Sequence, residues 1–504
     1  MSGRKIGVIL SYVYTISQVL VNFIYIKLLL SIIGQSEYGL YQIVASLIAY
    51  LKIMQSGLSV GVSRFYCVYR ASNDKKNMEN TLAIAQRIFY ILSVIVFFLG
   101  IVLIFVVKEF YKSSFTPMEL YESQIMMGIL IVNMIVDINN IVYVVSITAE
   151  EKFTFLKVMD LLSVLVQPVV VLLVLYRIPY ASVIVVIQLI INIVFSSIRK
   201  RYAMKKLNTT IKYHDNDKEL TRSLINFSVI TILALIADQI FWKADQLILG
   251  KMYGTAIVAV YSVGCQIYTN YMHFSTSISN VFMPKISKLY GDGSDMRPLS
   301  DLFVKIGRIQ FLILGMVLIV FVLFGNEFIN LWVGTGYTDA YIVAVVVMLA
   351  FTIDLVQNIG LTILQVANKY GFRAKMYFII AILNIVSTVI LAKVYGSVGA
   401  AISTAVSMVI GSGFIMNYYY SRKIHLDIKQ FWKQILNILI FDLPILGAGY
   451  LISFITFNSG WLEFIVHCIL TVGVYGIVIY LFAMDEYEKG MINKVLNKFG
   501  LKHS

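Results

Sequence analysis

Proline is scarce in this chain, with six among 504 residues, so long unbroken helices are allowed. Cysteine is scarcer still. Cys67, Cys265 and Cys468 lie far apart with no paired spacing, which removes redox and metal-binding motifs and predicts buried, reduced side chains. Charged residues make up only 13%, against 59% apolar residues and a mean hydropathy of +0.82. Those values exclude an ordinary soluble domain. Ten-residue segments of alternating polarity are missing, which excludes a membrane β-barrel. Large loops and acidic metal motifs are missing too, which argues against a membrane glycosyltransferase or polymerase. The first apolar stretch, from about Ile9, has no small-residue cleavage site and is expected to be a retained helix rather than a signal peptide.

What is present is a succession of fourteen apolar stretches, each long enough for a helix to cross a bilayer. They fall at 9–33, 39–63, 82–107, 121–148, 158–176, 179–198, 223–249, 256–283, 302–325, 341–367, 376–392, 397–420, 434–456 and 461–484. With the N-terminus in the cytoplasm, the outer loops hold five cations (Lys108, Lys112, Arg177, Lys251 and Lys393), and most of the 41 Lys and Arg lie on inner segments. A missed span would invert this bias for the rest of the chain, and no inversion occurs. Both termini are therefore expected in the cytoplasm. The net charge of +14 is read as topogenic charge facing an anionic leaflet, with no nucleic acid as partner.

The expected organisation is all-α and polytopic. It comprises a six-helix bundle over 1–200, a basic cytoplasmic linker over 201–222, a second six-helix bundle over 223–421, two further transmembrane helices within 422–484 and an amphipathic interfacial helix over 485–504. On that last helix Met491, Ile492, Val495, Leu496 and Phe499 form an apolar stripe beside lysines. The bundles read as repeats. SIIGQSEYGLY (31–41) lies over GKMYGTAIVAVY (250–261), matching Gly34 with Gly254 at an offset of 220. At an offset of 217, VDINNIVYVVSITAEEKF (136–153) lies over IDLVQNIGLTILQVANKY (353–370), pairing Asp137 with Asp354, and YRIPYASV (176–183) lies over KVYGSVGA (393–400). Six spans per repeat give both halves one orientation. That predicts a pseudo-twofold along the membrane normal, with a cavity between two rocking bundles.

Polar residues inside the spans mark the surfaces that would line such a cavity, because a charge at the bilayer centre costs about 3 kcal/mol on insertion scales. Helical spacing groups Ser11, Thr15, Gln18 and Asn22 in the first span, and Lys52, Ser56, Ser59 and Ser63 in the second. The seventh span carries Asp238, Trp242 and Asp245, with Lys243 adjoining; the eighth carries Gln266, Asn270, His273 and Ser277. Lys52, Lys27 and Lys243 are candidate cavity cations, with Arg64 at the inner mouth, and together they suggest an anionic ligand. Gln18, Asn22, Gln266, Asn270 and His273 are candidate polar lining. Asp137, Asp354, Asp238 and Asp245 are candidate coupling or structural carboxylates. The alternatives stay open: a helix-packing seam for the serines of the second span, an outward-snorkelling Lys27, mutual neutralisation of Asp238, Lys243 and Asp245, amide-capped structural carboxylates at Asp137 and Asp354, and a hydrogen-bonded packing histidine at His273.

Three pieces carry a family resemblance: IIGQSEYGLYQIVASLIAYLKIMQSGLSVGVSRFY (32–66), KADQLILGKMYGTAIVAVYSVGCQIY (243–268) and AKVYGSVGAAISTAVSMVIG (392–411). With the 6+6+2 division, the chain resembles the polysaccharide-flippase, Wzx-like branch of the MOP exporter superfamily, which shares the MATE-like fold. The resemblance implies translocation of undecaprenyl-pyrophosphate-linked oligosaccharide across a bacterial plasma membrane, without an enzymatic step or cofactor. It also implies a polymerase and glycosyltransferases of the same pathway as partners. Related flippases meet the pyrophosphate with basic residues of spans 1, 2 and 8. Lys27 and Lys52 match the first two, whereas span 8 offers His273 and Asn270, so Lys243 is the substitute. A cation-coupled drug or metabolite exporter is the alternative, although the first span has no carboxylate between Ile9 and Ile33. A lipid II-type flippase would differ only in its cargo, and the coupling ion is left open.

Overall fold

A computed structural model describes residues 3–291, 296–457 and 460–498. Every regular element among them is helical. The helices are α1 (Gly3–Ala71), α2 (Lys75–Tyr111), α3 (Pro117–Ala149), α4 (Phe153–Leu175), α5 (Ala181–Lys206), α6 (Lys218–Tyr253), α7 (Thr255–Val281) and α8 (Met283–Gly291). They continue with α9 (Arg297–Trp332), α10 (Thr338–Leu355), α11 (Asn358–Val366), α12 (Tyr370–Met408), α13 (Asn417–Tyr419), α14 (Ile428–Ile452), α15 (Gly460–Val478) and α16 (Glu486–Lys498). Three π-helical stretches extend α12, α13 and α15. Ten helices among the described residues are long and apolar enough to cross a membrane.

Helix ends follow local chemistry. Asp74, Asp217 and Asp427 each accept a hydrogen bond from the backbone N–H three residues on. Thr116 and Glu119 form a reciprocal capping box, with Pro117 in the first turn of α3. Two long helices contain a break. α1 is interrupted at Gly34 (φ 76°, ψ −179°) and α12 at Gly396 (φ 57°, ψ −132°). Gly254, between α6 and α7, adopts φ 82° and ψ −167°, nearly the backbone of Gly34. A Cβ is strongly disfavoured there, so both positions require glycine. The second alignment shows the same coincidence: Glu151 and Asn368, one offset of 217 apart, both sit at positive φ, 55° and 54°. The residues aligned by sequence thus share backbone geometry at both joints.

Packing divides the chain into two units, Met1–Val260 and Tyr261–Ser504, with α7 running across the division. In the first, α1 packs on α3, α4 and α6, and α3 packs on α2 and α5. In the second, α9 packs on α10, α14 and α15, and α10 packs on α12. α6, which opens the second sequence repeat, is therefore held in the first unit. A Cβ on Gly57 of α1 would meet Ile232 of α6 at 2.5 Å, and one on Gly39 would sit 1.9 Å from the Thr255 carbonyl oxygen. Tyr111 donates to the Leu247 carbonyl at 3.1 Å, and Thr255 donates to Glu119 at 2.6 Å. These contacts tie α6 and the start of α7 to α1, α2 and α3.

The basic segment between the repeats is docked rather than free. α5 runs to Lys206, and the strap that follows lies on α2 and α3. Backbone N–H groups of His214 and Asp215 donate to the Asn80 side chain at 3.1 and 3.3 Å. His214 meets Glu79 at 2.7 Å, and Arg87 stacks over the Tyr213 ring at 3.7 Å. Lys76 pairs with Asp215 at 2.7 Å, holding that carboxyl below its ordinary range. Cys67, expected to be buried, is exposed; Cys265 and Cys468 are half-buried. In α16, Met491 is exposed. The side chains of Val495 and Leu496, and all of Phe499, lie outside the described residues.

Candidate functional site

The polar stripe of α1 lies on its more open side. Lys52, Ser59 and Ser63 are half-buried and Ser56 is exposed, while Leu51, Ile53, Leu58 and Val62 face the packed interior. Lys52 lies within electrostatic reach of Asp137 on α3. Asp137 accepts a hydrogen bond from Asn192 Nδ2 of α5 at 2.8 Å, and the same amide donates to Asn133 Oδ1 at 2.6 Å. Ser196 completes the chain by donating to Asn192 Oδ1 at 3.1 Å. One helical turn beyond Asn192's neighbours, Arg199 also acts on Asp137 and pairs with Asp160 at 2.9 Å, which Lys157 meets at 3.4 Å. An amide and two cations thus offset the cost of a carboxylate in an apolar span.

The other candidate cations also belong to the first unit. Lys27 and Arg64 are exposed on α1, and Lys243 is half-buried on α6. Lys27 lies beside exposed Leu28, whereas Ile26, Leu29 and Leu30 are buried. Gln18 and Asn22 are half-buried. Along α6, Asp238 is half-buried, Asp245 and Gln246 are buried, and Gln246 accepts a short hydrogen bond from Ser46 of α1. Tyr50 lies within the field of Asp245. α6 thereby presents its polar residues to the same helix that carries Lys52.

In the second unit, Gln266 and Asn270 of α7 are half-buried and His273 is exposed. Among the described residues the buried Asn270 Nδ2 has no hydrogen-bond partner, and the His273 carbonyl accepts from Ser277 at 2.7 Å. Asp354, at the end of α10, lies in the field of Arg373 on α12, together with Tyr377 and Tyr420. Arg373 donates to Tyr370 at 2.9 Å and covers the Tyr377 ring at 4.3 Å. The aligned carboxylates therefore have different company, amides for Asp137 and an arginine among tyrosines for Asp354.

Asn192, Ser196, Arg199 and Arg373 carried no expectation from sequence. Asn192 and Ser196 have i, i+4 spacing on a span opposite Asp137, which is the signal that could have found them. Arg373 looked like one more topogenic cation.

Helices of this length and hydropathy define a class: a multi-pass membrane protein. The lipid II flippase MurJ in an inward closed conformation superposes with a TM-score of 0.76, at 14% identity over 94% of this chain and 99% of that one. An inward-facing multidrug resistance MATE family transporter of the MOP superfamily gives 0.63, at 12% identity over 79% of this chain and 93% of that one. These likenesses concern the fold. The chain belongs to the family of polysaccharide biosynthesis proteins, which matches residues 4–290, more than half its length. Among relatives, the probable low-salt glycan biosynthesis flippase Agl15 of Haloferax volcanii is 24% identical over 234 residues, 46% of this chain and 48% of that protein. The capsular polysaccharide biosynthesis protein CapF of Staphylococcus aureus is 24% identical over 243 residues, 47% and 59% of the respective chains. The match thus spans about half the length of these relatives.

Proposed function

We propose that this protein is a flippase that moves undecaprenyl-pyrophosphate-linked oligosaccharide across a bacterial plasma membrane by alternating access. The observation that carries the reading is family membership over residues 4–290. The transporter fold and the half-open stripe bearing Lys52 support it. In this reading the chain crosses the bilayer fourteen times with both termini in the cytoplasm. It receives its cargo from glycosyltransferases and delivers it towards a polymerase.

Lys52, Arg64, Lys27 and Lys243 would hold the pyrophosphate, and Gln18, Asn22, Gln266, Asn270 and His273 would hydrate the glycan. Asp137 shares the field of Lys52, so an arriving pyrophosphate competes with a resident counter-ion. That competition keeps binding reversible, as a carrier requires. No covalent bond changes. An inside-negative potential favours outward movement of the anion by about 2.3 kcal/mol per charge at 100 mV.

The test is flipping of a fluorescent undecaprenyl-pyrophosphate oligosaccharide in proteoliposomes, with an imposed potential. Wild type should transport, Lys52→Ala should lose most of the rate, and collapsing the potential should slow both. A wild type that inserts correctly yet moves none of several glycans would sink the reading. It would favour the cation-coupled exporter, for which Asp137, Asp354, Asp238 and Asp245 are the coupling candidates. Faster movement of lipid II than of any oligosaccharide would favour the third cargo.

A further inference from the structure

Away from the candidate transport residues, three ligand-type side chains converge in the second unit. Glu327 comes from the end of α9, and Glu463 and His467 from the first turns of α15. One ligand atom from each lies within 4.8 Å of the others. His467 is 2% exposed, stacks on Phe324 at 5.0 Å, and directs Nε2 to the Ile455 carbonyl oxygen at 2.8 Å. A carbonyl only accepts, so Nε2 carries the hydrogen and a neutral ring presents the lone pair of Nδ1. That lone pair faces Glu327 Oε2 at 3.4 Å. Two acceptors then oppose each other where the buried ring meets a part-exposed carboxylate, a place that suits a cation.

That cation is either a proton on Nδ1 or a metal ion, and a separation of 3.4 Å accommodates both. A charge-assisted N–H···O bond closes to about 2.7–2.9 Å. Two ligand atoms each about 2.1 Å from a tetrahedral ion sit about 3.4 Å apart. A histidine that donates its second ring nitrogen to a carbonyl is oriented as metal-bound histidines are. Glu463 is oriented too, because one of its oxygens accepts from the Phe457 N–H at 2.9 Å. Two carboxylates and a neutral imidazole sum to a charge that one divalent cation cancels.

We propose that Glu327, Glu463 and His467 bind a divalent first-row transition-metal ion. It would staple the end of α9 to the start of α15 and, through Ile455, to the segment after α14. One nitrogen with two carboxylate oxygens suits Zn²⁺ or Mn²⁺, whereas Ca²⁺ takes six to eight oxygens and Mg²⁺ an octahedral oxygen shell. The proposal is independent of the transport reading.

The experiment uses the full chain in detergent, with any affinity tag removed and metals stripped by a chelator. Zn²⁺ and Mn²⁺ are titrated by equilibrium dialysis with elemental analysis, and thermal unfolding is followed in parallel. Wild type should bind one Zn²⁺ per chain, resist displacement by millimolar Mg²⁺ or Ca²⁺, and unfold at a higher temperature with metal. Glu463→Gln and Glu327→Gln should bind at least ten-fold more weakly and lose the metal-dependent shift. Glu463→Gln keeps an acceptor for the Phe457 N–H, so it remains informative should His467→Gln not fold. Binding that is absent, or unchanged in both glutamine variants, would overturn the proposal. A midpoint that responds to pH and not to metal would also overturn it, because the intervening cation would then be a proton.

Discussion

Removing the carboxylate of Glu488 should destabilise the protein far more than its place on the last described helix suggests. Glu488 is 3% exposed and Arg308 of α9 is 6% exposed. They form a two-pronged pair, Nε to Oε1 and Nη2 to Oε2, both at 2.8 Å. Arg308 also donates to Gln434 at 2.7 Å and to the Ala483 carbonyl at 2.9 Å. Glu488 has a second task, accepting from the Asp485 N–H at 2.9 Å while its own N–H donates to Asp485 at 2.8 Å, a capping arrangement for α16. Breaking a buried pair from one side costs about 3–5 kcal/mol, and losing a cap adds about 1 kcal/mol. Glu488→Ala should therefore cost about 4–6 kcal/mol in reversible unfolding in mixed micelles. Arg70→Ala, which breaks the more open Arg70–Glu150 pair at 2.6 Å, should cost about 0–1 kcal/mol. Replacing both buried partners, Arg308→Met with Glu488→Leu, should recover most of the loss, since an apolar pair of similar volume is often neutral. A double variant as unstable as the sum of its singles would refute the reasoning. So would a Glu488→Ala cost no larger than that of Arg70→Ala.

Three further outcomes follow from the structure. Gly34→Ala and Gly254→Ala should each cost about 1–3 kcal/mol from backbone strain, whereas Gly447→Ala, inside α14 with open space around it, should be neutral or stabilising by up to about 1 kcal/mol; the same unfolding assay separates them. Asn80→Ala orphans the two N–H groups it receives and should speed tryptic cleavage at Lys212 several-fold. The Lys76–Asp215 pair adds a pH signature to that protection: the Asp215 carboxyl is depressed below 3.8, so its contribution is complete above that value and lost as the pH falls through the lower folded value. Under the proposed function, Asp137→Asn should raise apparent affinity for the pyrophosphate lipid several-fold by removing a carboxylate from the field of Lys52; a flipping rate that instead loses its response to a cation gradient would mark Asp137 as a coupling group.

Helices were legible because apolar runs and capping residues act locally. The joints were legible for a related reason: Gly34 and Gly254 align at an offset of 220, Glu151 and Asn368 at 217, and within each pair the backbone conformations match. Partnership was not legible. Periodicity shows that α6 has an apolar face but not that Gly57 of α1 will receive it. Repeat and packing therefore divide the chain at different places. The same limit hid Arg308, which lies inside the expected span 302–325, since its partner stands 180 residues away. At the candidate site, Lys52 and Asp137 were visible as costly charges in apolar stretches, while a neutral amide such as Asn192 carries no such cost to mark it. Glu463 and His467 were visible at i, i+4 spacing, but their meaning depends on Glu327, which only folding brings near.

The reach of these contacts also sets an order of assembly during synthesis. Everything that closes the first unit, including the strap over α2 and the seat of Thr255 against Gly39, is encoded before residue 261. The partners in those contacts are all present while the ribosome is still making the rest. The second unit cannot finish on the same schedule, because the guanidinium of Arg308 waits for Glu488, 180 residues later. A chain stalled late in translation would thus carry one completed half and one half with a buried cation lacking its carboxylate. Quality control would meet the defect in the second half, whichever part of the message caused the stall.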